Sequence, residues 1–318
     1  MRRTLRLLLG GLAAVALLGS LVLTSLRFVE IDQRAALALT SFSAYAVLGY
    51  AAVLILCLLL VRGAVRRAVP LAAAGVSLLL LALHLVWLAP WLSGDDAGSS
   101  RLTVASSNLE VGQGDPDAVL RLAAKADVLV LQEVTPDALA ALDQAGLGDR
   151  LPYRAGTAVG GVRGTMVFSR YRLSDQQPLP LGNGGLTVRV AAPKPFRLYA
   201  VHTAMLLSAP QVWHDDLVRL RARLTVDAAR GPVLAAGDWN ATYSHLPMRR
   251  VLDAGVRDAS EASSSWRPTW PTQWRESWLR PVVAIDHVLM SKEFLATATR
   301  TVNVHRTDHL ALVAQLSY

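Results

Sequence analysis

Residues 233–240 read VLAAGDWN: the apolar run Val233–Ala236 passes directly into Gly237-Asp238-Trp239-Asn240. A short apolar run closed by a turn signal reads as a buried strand. The fold is decided by how often the same event recurs. Leu102–Ser107 ends in Asn108, Asp127–Leu131 in Gln132 and Glu133, and Leu198–Val201 in His202. Val282–Ile285 leads to Asp286-His287, and Asn303–Arg306 to Thr307-Asp308-His309. Ligand sites of open α/β sheets collect at strand ends, so polar groups recurring there predict one convergent pocket.

Strands are expected at Leu102–Ser106, Val128–Leu131, Thr165–Phe168, Arg197–Val201, Val233–Ala236, Val282–Leu289 and Leu310–Leu316. Helical patterns lie between some of them. Asp115-Pro116 opens one that runs to Lys125, and Thr135-Pro136-Asp137 opens Ala138–Ala145, each with a cap and then Pro in the first turn. Gln211–Ala229 sets Trp213, Leu217, Leu220 and Leu224 on one face and Arg219, Arg221 and Arg223 elsewhere, as in an amphipathic surface helix. Strands and helices in alternation define an α/β layered domain.

Ahead of this domain the composition changes. Of 318 residues 53% are hydrophobic and 18% charged, whereas about 25% charged is usual for soluble domains. Only 10 of the 56 charged residues fall in the first 92 positions. Leu7–Leu26, Ala35–Val61 and Val69–Leu92 carry none, and their 20, 27 and 24 residues each suffice to span a bilayer. The chain therefore divides into a membrane domain of three transmembrane helices (1–92), a polar linker (93–100) and a catalytic domain (101–318).

Arg2, Arg3 and Arg6 precede the first helix, and Arg62, Arg66 and Arg67 separate the second from the third. Between the first and second, Arg27 and Arg34 are balanced by Glu30 and Asp32. Basic flanks mark the cytoplasmic side, which puts the N-terminus inside and everything after Leu92 outside. Trp87 and Trp91 fit an interfacial belt, and His84 reads as a helix-packing residue. Cys57, the single cysteine, falls in the second helix, so the outer domain is held by its core without disulfides. From Arg101 to Tyr318 the net charge is +4, too mild to indicate nucleic acid as the partner.

The strand-end residues comprise one Glu, three Asp, two Asn and two His. They lack the Cys/His spacing of a zinc site, a glycine-rich phosphate loop and a Gly-x-Ser-x-Gly elbow. Oxygen ligands suit a hard divalent cation, and histidines suit charge stabilisation and proton transfer. Together they are the outfit of magnesium-assisted phosphoester hydrolysis.

These motifs resemble those of the endonuclease/exonuclease/phosphatase superfamily. Ser107-Asn108-Leu109 resembles its opening Asn motif, Leu131-Gln132-Glu133-Val134 its Glu motif, and Gly164–Arg170 its strand closing in Ser-Arg. Val201-His202-Thr203 resembles its His motif, and Gly237-Asp238-Trp239-Asn240 its Gly-Asp-x-Asn motif. Ile285-Asp286-His287-Val288 and Thr307-Asp308-His309 resemble the last two. Thr307 stands where Ser is usual and Trp239 where Phe or Leu is usual, and neither change removes a reactive group. The resemblance implies a four-layer α/β/β/α sandwich of two mixed sheets with outer helices. It also implies that Glu133 holds Mg²⁺ (Mn²⁺ as the alternative), with Asn108 and Asp308 completing or positioning the shell. Asp238, oriented by Asn240, would activate water. His309, backed by Asp286, would stabilise the phosphoryl oxygens or protonate the leaving group, and His202 would bind the phosphate from the opposite side. His287 is expected to pack beside Asp286 rather than react.

A membrane anchor on this domain is similar to the VanJ-type proteins associated with teicoplanin resistance. That similarity implies a lipid-linked phosphate or pyrophosphate substrate, such as undecaprenyl pyrophosphate, on the extracytoplasmic face. Two alternatives stand beside it, a membrane-tethered nuclease and a non-catalytic envelope binding module. Trp266, Trp270, Trp274 and Trp278 recur every four residues, but Pro268 and Pro271 forbid one continuous helix there. They read as a loop packed by its own tryptophans or as an interfacial lip.

Overall fold

Charge-free apolar sequence becomes helix and strand-ending polar sequence becomes sheet, in a computed structural model that describes residues 3–61, 67–92, 94, 101–272 and 280–318. Arg2, Arg62, Arg66, most of the 93–100 linker, Trp274 and Trp278 lie outside the described residues. The chain divides into one unit of Met1–Pro90 with Ser244–Leu246 and another of Trp91–Tyr243 with Pro247–Tyr318.

The first unit holds α1 (Arg3–Leu26), α2 (Arg34–Thr40), α3 (Ala46–Val61) and α4 (Ala68–Leu88). Three stretches are long and apolar enough to cross a membrane: Arg3–Leu26, Ser43–Val61 and Ala68–Trp91. The expected second span from residue 35 to 61 is not continuous. It breaks after Thr40 and restarts through a 3₁₀ turn at Ser43–Tyr45. The cause is local: the Thr40 hydroxyl donates to the Ala36 carbonyl at 2.7 Å, and hydroxyl side chains in this way compete with the helical ladder. Thr24 Oγ1 donates to the Ser20 carbonyl at 2.8 Å and lies 2.8 Å from Tyr50 Oη and 2.9 Å from His84 Nε2. One hydroxyl thus links α1, α3 and α4, the sort of interhelical polar contact that membrane helices use.

The second unit is an α/β sandwich of two mixed six-stranded sheets flanked by helices. Its strands are β1 (Leu102–Asn108), β2 (Val128–Gln132), β3 (Tyr153–Thr157), β4 (Thr165–Ser169), β5 (Leu173–Pro178) and β6 (Gly185–Val190). They continue with β7 (Phe196–His202), β8 (Val233–Asp238), β9 (Val256–Asp258), β10 (Asp286–Ser291), β11 (Leu295–Asn303) and β12 (Leu310–Ser317). One sheet runs β11-β12-β1-β2-β4-β3 and the other β5-β6-β7-β8-β10-β9. Each is centred on a parallel pair, β1/β2 and β7/β8, and the neighbouring strands run antiparallel. The parallel pairs need crossovers, supplied by α5 (Pro116–Ala123) and α8 (Pro210–Arg230), with α6 (Pro136–Gln144) and α7 (Leu147–Arg150) between them in the chain. Both expected proline-opened helices form, with Asp115 accepting from the Asp117 N–H and Thr135 from the Ala138 N–H as N-caps.

The sequence placed a strand at residues 282–289, but β10 begins at Asp286. Val283 instead bridges to Trp270. β3, β5, β6, β9 and β11 had no counterpart in the sequence reading.

The two sheets face each other over a core to which both contribute, including Val104, Val130 and Leu312 from one and Val188, Leu198 and Val288 from the other. Strand alternation sends the other set of side chains outward. Leu129, Leu131 and Val313 meet the Val119 and Leu122 face of α5. The C-terminal ends of both parallel pairs are left at one edge of the sandwich, where Asn108, Gln132, His202 and Asp238 end their strands. Leu198 is fully buried between the sheets, so Leu198→Ala should destabilise this unit by about 2–5 kcal/mol. The measurement is the denaturant midpoint of the unit's unfolding, and an unchanged midpoint would contradict this packing.

Candidate active site

Strand register assembles the site. His202 of β7 pairs with Asp238 of β8, and Asp238 pairs with Asp286 of β10, so three functional side chains sit on adjacent strands at one level. In the opposite sheet Asn108 of β1 pairs with Gln132 of β2, and Glu133 follows it. Glu133 takes a left-handed conformation, φ 59°, in the turn that leaves β2. Such backbone costs on the order of 1–3 kcal/mol in a non-glycine residue and concentrates at functional sites. At Gly237 a Cβ would lie 1.9 Å from the Val201 carbonyl oxygen, with φ at 151°, so only glycine lets β8 approach β7 ahead of Asp238.

Seven of the eight expected site residues bring their side chains together, and Asn240 contributes its backbone. Asn108 Nδ2 donates to Glu133 Oε1 and to Asp238 Oδ2, at 3.1 Å each, joining the two sheets through one amide. Its Oδ1 accepts the Glu110 N–H at 2.9 Å, which fixes the amide's orientation. Glu133 Oε2 accepts the Val111 N–H at 2.6 Å. His202 Nε2 lies 3.7 Å from both Glu133 Oε1 and Asp238 Oδ2. His309 Nδ1 is 2.9 Å from Asp286 Oδ2, and its Nε2 is 3.8 Å from Asp238 Oδ2 and 3.8 Å from Asp308 Oδ1. Asn240 orients Asp238 through its backbone, its N–H donating to Oδ1 at 2.9 Å. The Asn240 side chain turns away and donates to the Thr203 carbonyl.

Burial sets the charges. It pushes Glu133 upward from the usual carboxylate range, against the bonds from Asn108 and Val111. Asp238 rises to about 7 through burial and the nearby Asp286 anion, with His309 opposing. The two histidines part ways. Burial lowers His202 to about 3, with His309 adding to the effect. Burial also works against the charged form of His309, but Asp286 and Asp238 outweigh it and raise this ring to about 10. At neutral pH His202 is neutral and His309 is an imidazolium.

The donor set fits a hard divalent cation. Glu133, Asp238 and Asp286 are buried carboxylates facing one imidazolium, and Asp286 Oδ1 has no hydrogen-bond partner among the described residues. An excess of buried negative oxygen is what such a cation relieves. Metal-ligating atoms of Asp238, Asp286 and His309 lie within 4.8 Å of one another. Two of those three residues are already engaged in the His309–Asp286 hydrogen bond, so this trio reads as acid–base machinery. Glu133, Asn108 and Asp308 supply the other oxygen donors of the cluster.

A sandwich of two mixed sheets with carboxylates and histidines gathered at one edge defines a class of metal-dependent phosphoester hydrolases. The Endonuclease/Exonuclease/phosphatase family profile matches residues 105–309, well over half the chain, and the chain belongs to this family. Among solved structures it is similar to an endonuclease/exonuclease/phosphatase from Beutenbergia cavernae DSM 12333, at 23% identity and TM-score 0.54, covering 69% of this chain and 72% of that one. It is also similar to humanized D. rerio TDP2, at 16% identity and TM-score 0.56, covering 69% and 100%. D. rerio TDP2 complexed with single-strand DNA product matches at 16% identity and TM-score 0.56, again covering 69% and 100%. These likenesses concern the fold. No curated protein matches the chain.

Three neighbours of the site were missed in the sequence. Asn183 Nδ2 lies 3.2 Å from His202 Nε2, and its Gly-Asn-Gly-Gly context reads only as a turn. Trp270, read in the sequence as one of four tryptophans packing a loop or forming an interfacial lip, donates from Nε1 to Asp308 Oδ2 at 3.1 Å while its ring stays 37% exposed, a contact the spacing does not announce. Asp258 is the third. His287, expected merely to pack beside Asp286, is clamped between Asp258 Oδ2 at 3.0 Å and the Ala241 carbonyl at 2.8 Å. Asp258 also caps a short helix through the Ser260 and Glu261 N–H groups. Both members of the pair are buried, and Asp258 with the Ala241 carbonyl raises the His287 pKa against the effect of burial. His287→Phe leaves the Asp258 carboxylate buried without its cation, so a loss of about 3–5 kcal/mol is expected. A denaturant titration measures it, and a loss below about 1 kcal/mol would contradict the pairing.

Proposed function

We propose that this chain is a membrane-anchored phosphoesterase acting on the extracytoplasmic face on a lipid-linked phosphate or pyrophosphate, with undecaprenyl pyrophosphate as the substrate to test first. The observation that carries the chemistry is the junction of Asn108, Glu133, Asp238 and His309 in one buried cluster. The spans Arg3–Leu26, Ser43–Val61 and Ala68–Trp91 support the anchor, and a tethered site meets lipid-borne phosphate at high effective concentration. The arginine distribution and the mild +4 charge of the outer domain support an outward-facing site and a lipid rather than a nucleic acid.

The residues divide the work. Asp238 Oδ1 takes the Asn240 N–H and Oδ2 the Asn108 amide, and the second lone pair of Oδ2 accepts a proton from the attacking water. A carboxylate poised near neutrality suits that task. Charged His309 offsets the charge growing on the phosphoryl oxygens and delivers its Nε2 proton to the leaving oxygen. Asp286, bound to Nδ1, fixes the ring's orientation and keeps it charged. Neutral His202 contacts the phosphate from the opposite side. Glu133, with Asn108 and Asp308, would hold Mg²⁺ or Mn²⁺, which supplies Lewis-acid polarisation of the phosphoryl group.

Purified full-length protein in detergent with Mg²⁺ should release phosphate from undecaprenyl pyrophosphate in preference to cleaving phospholipid or duplex DNA. Chelation should abolish the activity, and Glu133→Ala and His309→Ala should each lower kcat by about 10²–10⁴-fold. Cleavage of DNA with no turnover of lipid would establish the tethered-nuclease reading instead, and binding without turnover of any substrate the envelope module.

A pH profile tests the acid–base assignment. Activity should rise as Asp238 loses its proton and fall as His309 loses its own. Asp286 raises both pKa values because its negative charge favours the protonated partner. Asp286→Asn removes that charge, so both limbs of kcat/KM against pH should move to lower pH. Limbs that stay in place or move to higher pH would contradict the assignment.

A further inference from the structure

Three polar groups converge on His202 Nε2. Two are carboxylate oxygens, Glu133 Oε1 and Asp238 Oδ2, each 3.7 Å away, and the nearest is the Asn183 amide nitrogen at 3.2 Å. An amide nitrogen only donates, so a hydrogen bond here requires Nε2 to accept and the ring's proton to sit on Nδ1. Without that donor, two carboxylates would draw a proton to Nε2 and turn the ring toward themselves.

The turn that presents Asn183 is built for the purpose. Residues 179–185 are closed by the Leu179 N–H to the Gly185 carbonyl and the Gly184 N–H to the Leu181 carbonyl. The His202 N–H in turn donates to the Gly184 carbonyl at 3.2 Å. Asp216, fully buried on α8, accepts the Gly182 N–H at 2.9 Å and the Ala204 N–H at 2.8 Å through one oxygen, pinning this turn beside the segment that follows β7. Glycine is required twice. A Cβ on Gly182 would come within 2.6 Å of Ala204 Cβ, and Gly184 has φ +99°.

We propose that Asn183 is a positioning residue, whose carboxamide locks the ring of His202 in the Nδ1–H tautomer and holds its Nε2 away from the carboxylates that bind the cation and activate water. The inference rests on the phosphoesterase reading for its kinetic consequence, but the tautomer is a property of the chain alone. Two measurements on the full-length protein in detergent therefore test it. The first is NMR of ¹⁵N-histidine-labelled protein, with His202 assigned through His202→Gln. The wild type should show an unprotonated Nε2, and Asn183→Asp, which replaces the donor by an acceptor, should show a protonated one. The second is steady-state kinetics. Asn183→Ala and Asn183→Asp should lower kcat by about tenfold to a hundredfold and leave KM within about twofold, as expected when a group is misplaced rather than a substrate contact removed. A protonated Nε2 in the wild type, an unchanged kcat, or a loss confined to KM would each overturn the proposal. If no phosphoester is turned over, the functional reading fails while the NMR result still decides the tautomer.

Discussion

The two hydrogen bonds donated by Asn108 Nδ2 make one site out of two sheets. One bond goes to Glu133 within its own sheet and the other crosses to Asp238 in the facing sheet. Each carboxylate is buried, and each leaves a sheet at the C-terminal end of a parallel strand. Like charges brought this close in a dry setting repel, and a single neutral donor lowers that cost without neutralising either group. The arrangement tolerates little displacement. Asn108 is held by the Glu110 N–H, Glu133 by the Val111 N–H, and Asp238 by the Asn240 N–H. Glu110, Val111, Glu133 and Asn240 all have positive φ, so backbone strain in the turns accompanies the fixed placement of the acids.

The centre of the fold was legible in the sequence and its margins were not. β1, β2, β7 and β8 are buried on both faces, so their sequences are nearly continuous apolar runs, and each ends in a polar residue because it ends at the site. β5 reads LSDQQP and is exposed along most of its length; β11 reads LATATRTVN with burial that alternates irregularly past a register shift. Neither carries the apolar signal by which strands are recognised, because edge strands bury little. The same logic applies to the site. Its eight residues are legible because chemistry restricts their types. Asn183, Asp258 and Trp270 escape because Asn in a glycine-rich turn, Asp before a helix and Trp in a loop each have an ordinary local use. Only contacts far along the chain give them another.

The unit of apolar helices follows a different physics from the sandwich. Its three long spans are apolar enough to cross a membrane, and Leu7, Val15, Leu58 and Leu79 on them are all well exposed. Its buried positions mix apolar and polar side chains: Ala46, Tyr50 and Val53 are turned inward together with Ser20, Thr24, Thr40, Ser77 and His84. In the sandwich unit large apolar residues are the buried ones, and polar groups such as Asp216 and Asp258 are admitted where hydrogen bonds meet them. This difference within one chain is why the average composition describes neither part.

The opposite fates of His202 and His309 follow from which atoms each ring meets. Both are buried, and burial alone favours the neutral form of each. His309 faces Asp286 at 2.9 Å through Nδ1, with Asp238 and Asp308 near Nε2, and three anions outweigh desolvation. His202 has carboxylates only at 3.7 Å and meets an amide donor first, and the pull of Asp286 and the Val162 backbone on a second proton does not outweigh burial. Charging His309 in turn repels charge from His202. The charged ring thereby holds its neighbour neutral, and the site sets one imidazolium opposite one neutral ring. Environments that push two neighbouring rings to opposite protonation states are how one site comes to hold a proton donor and a neutral partner at the same pH.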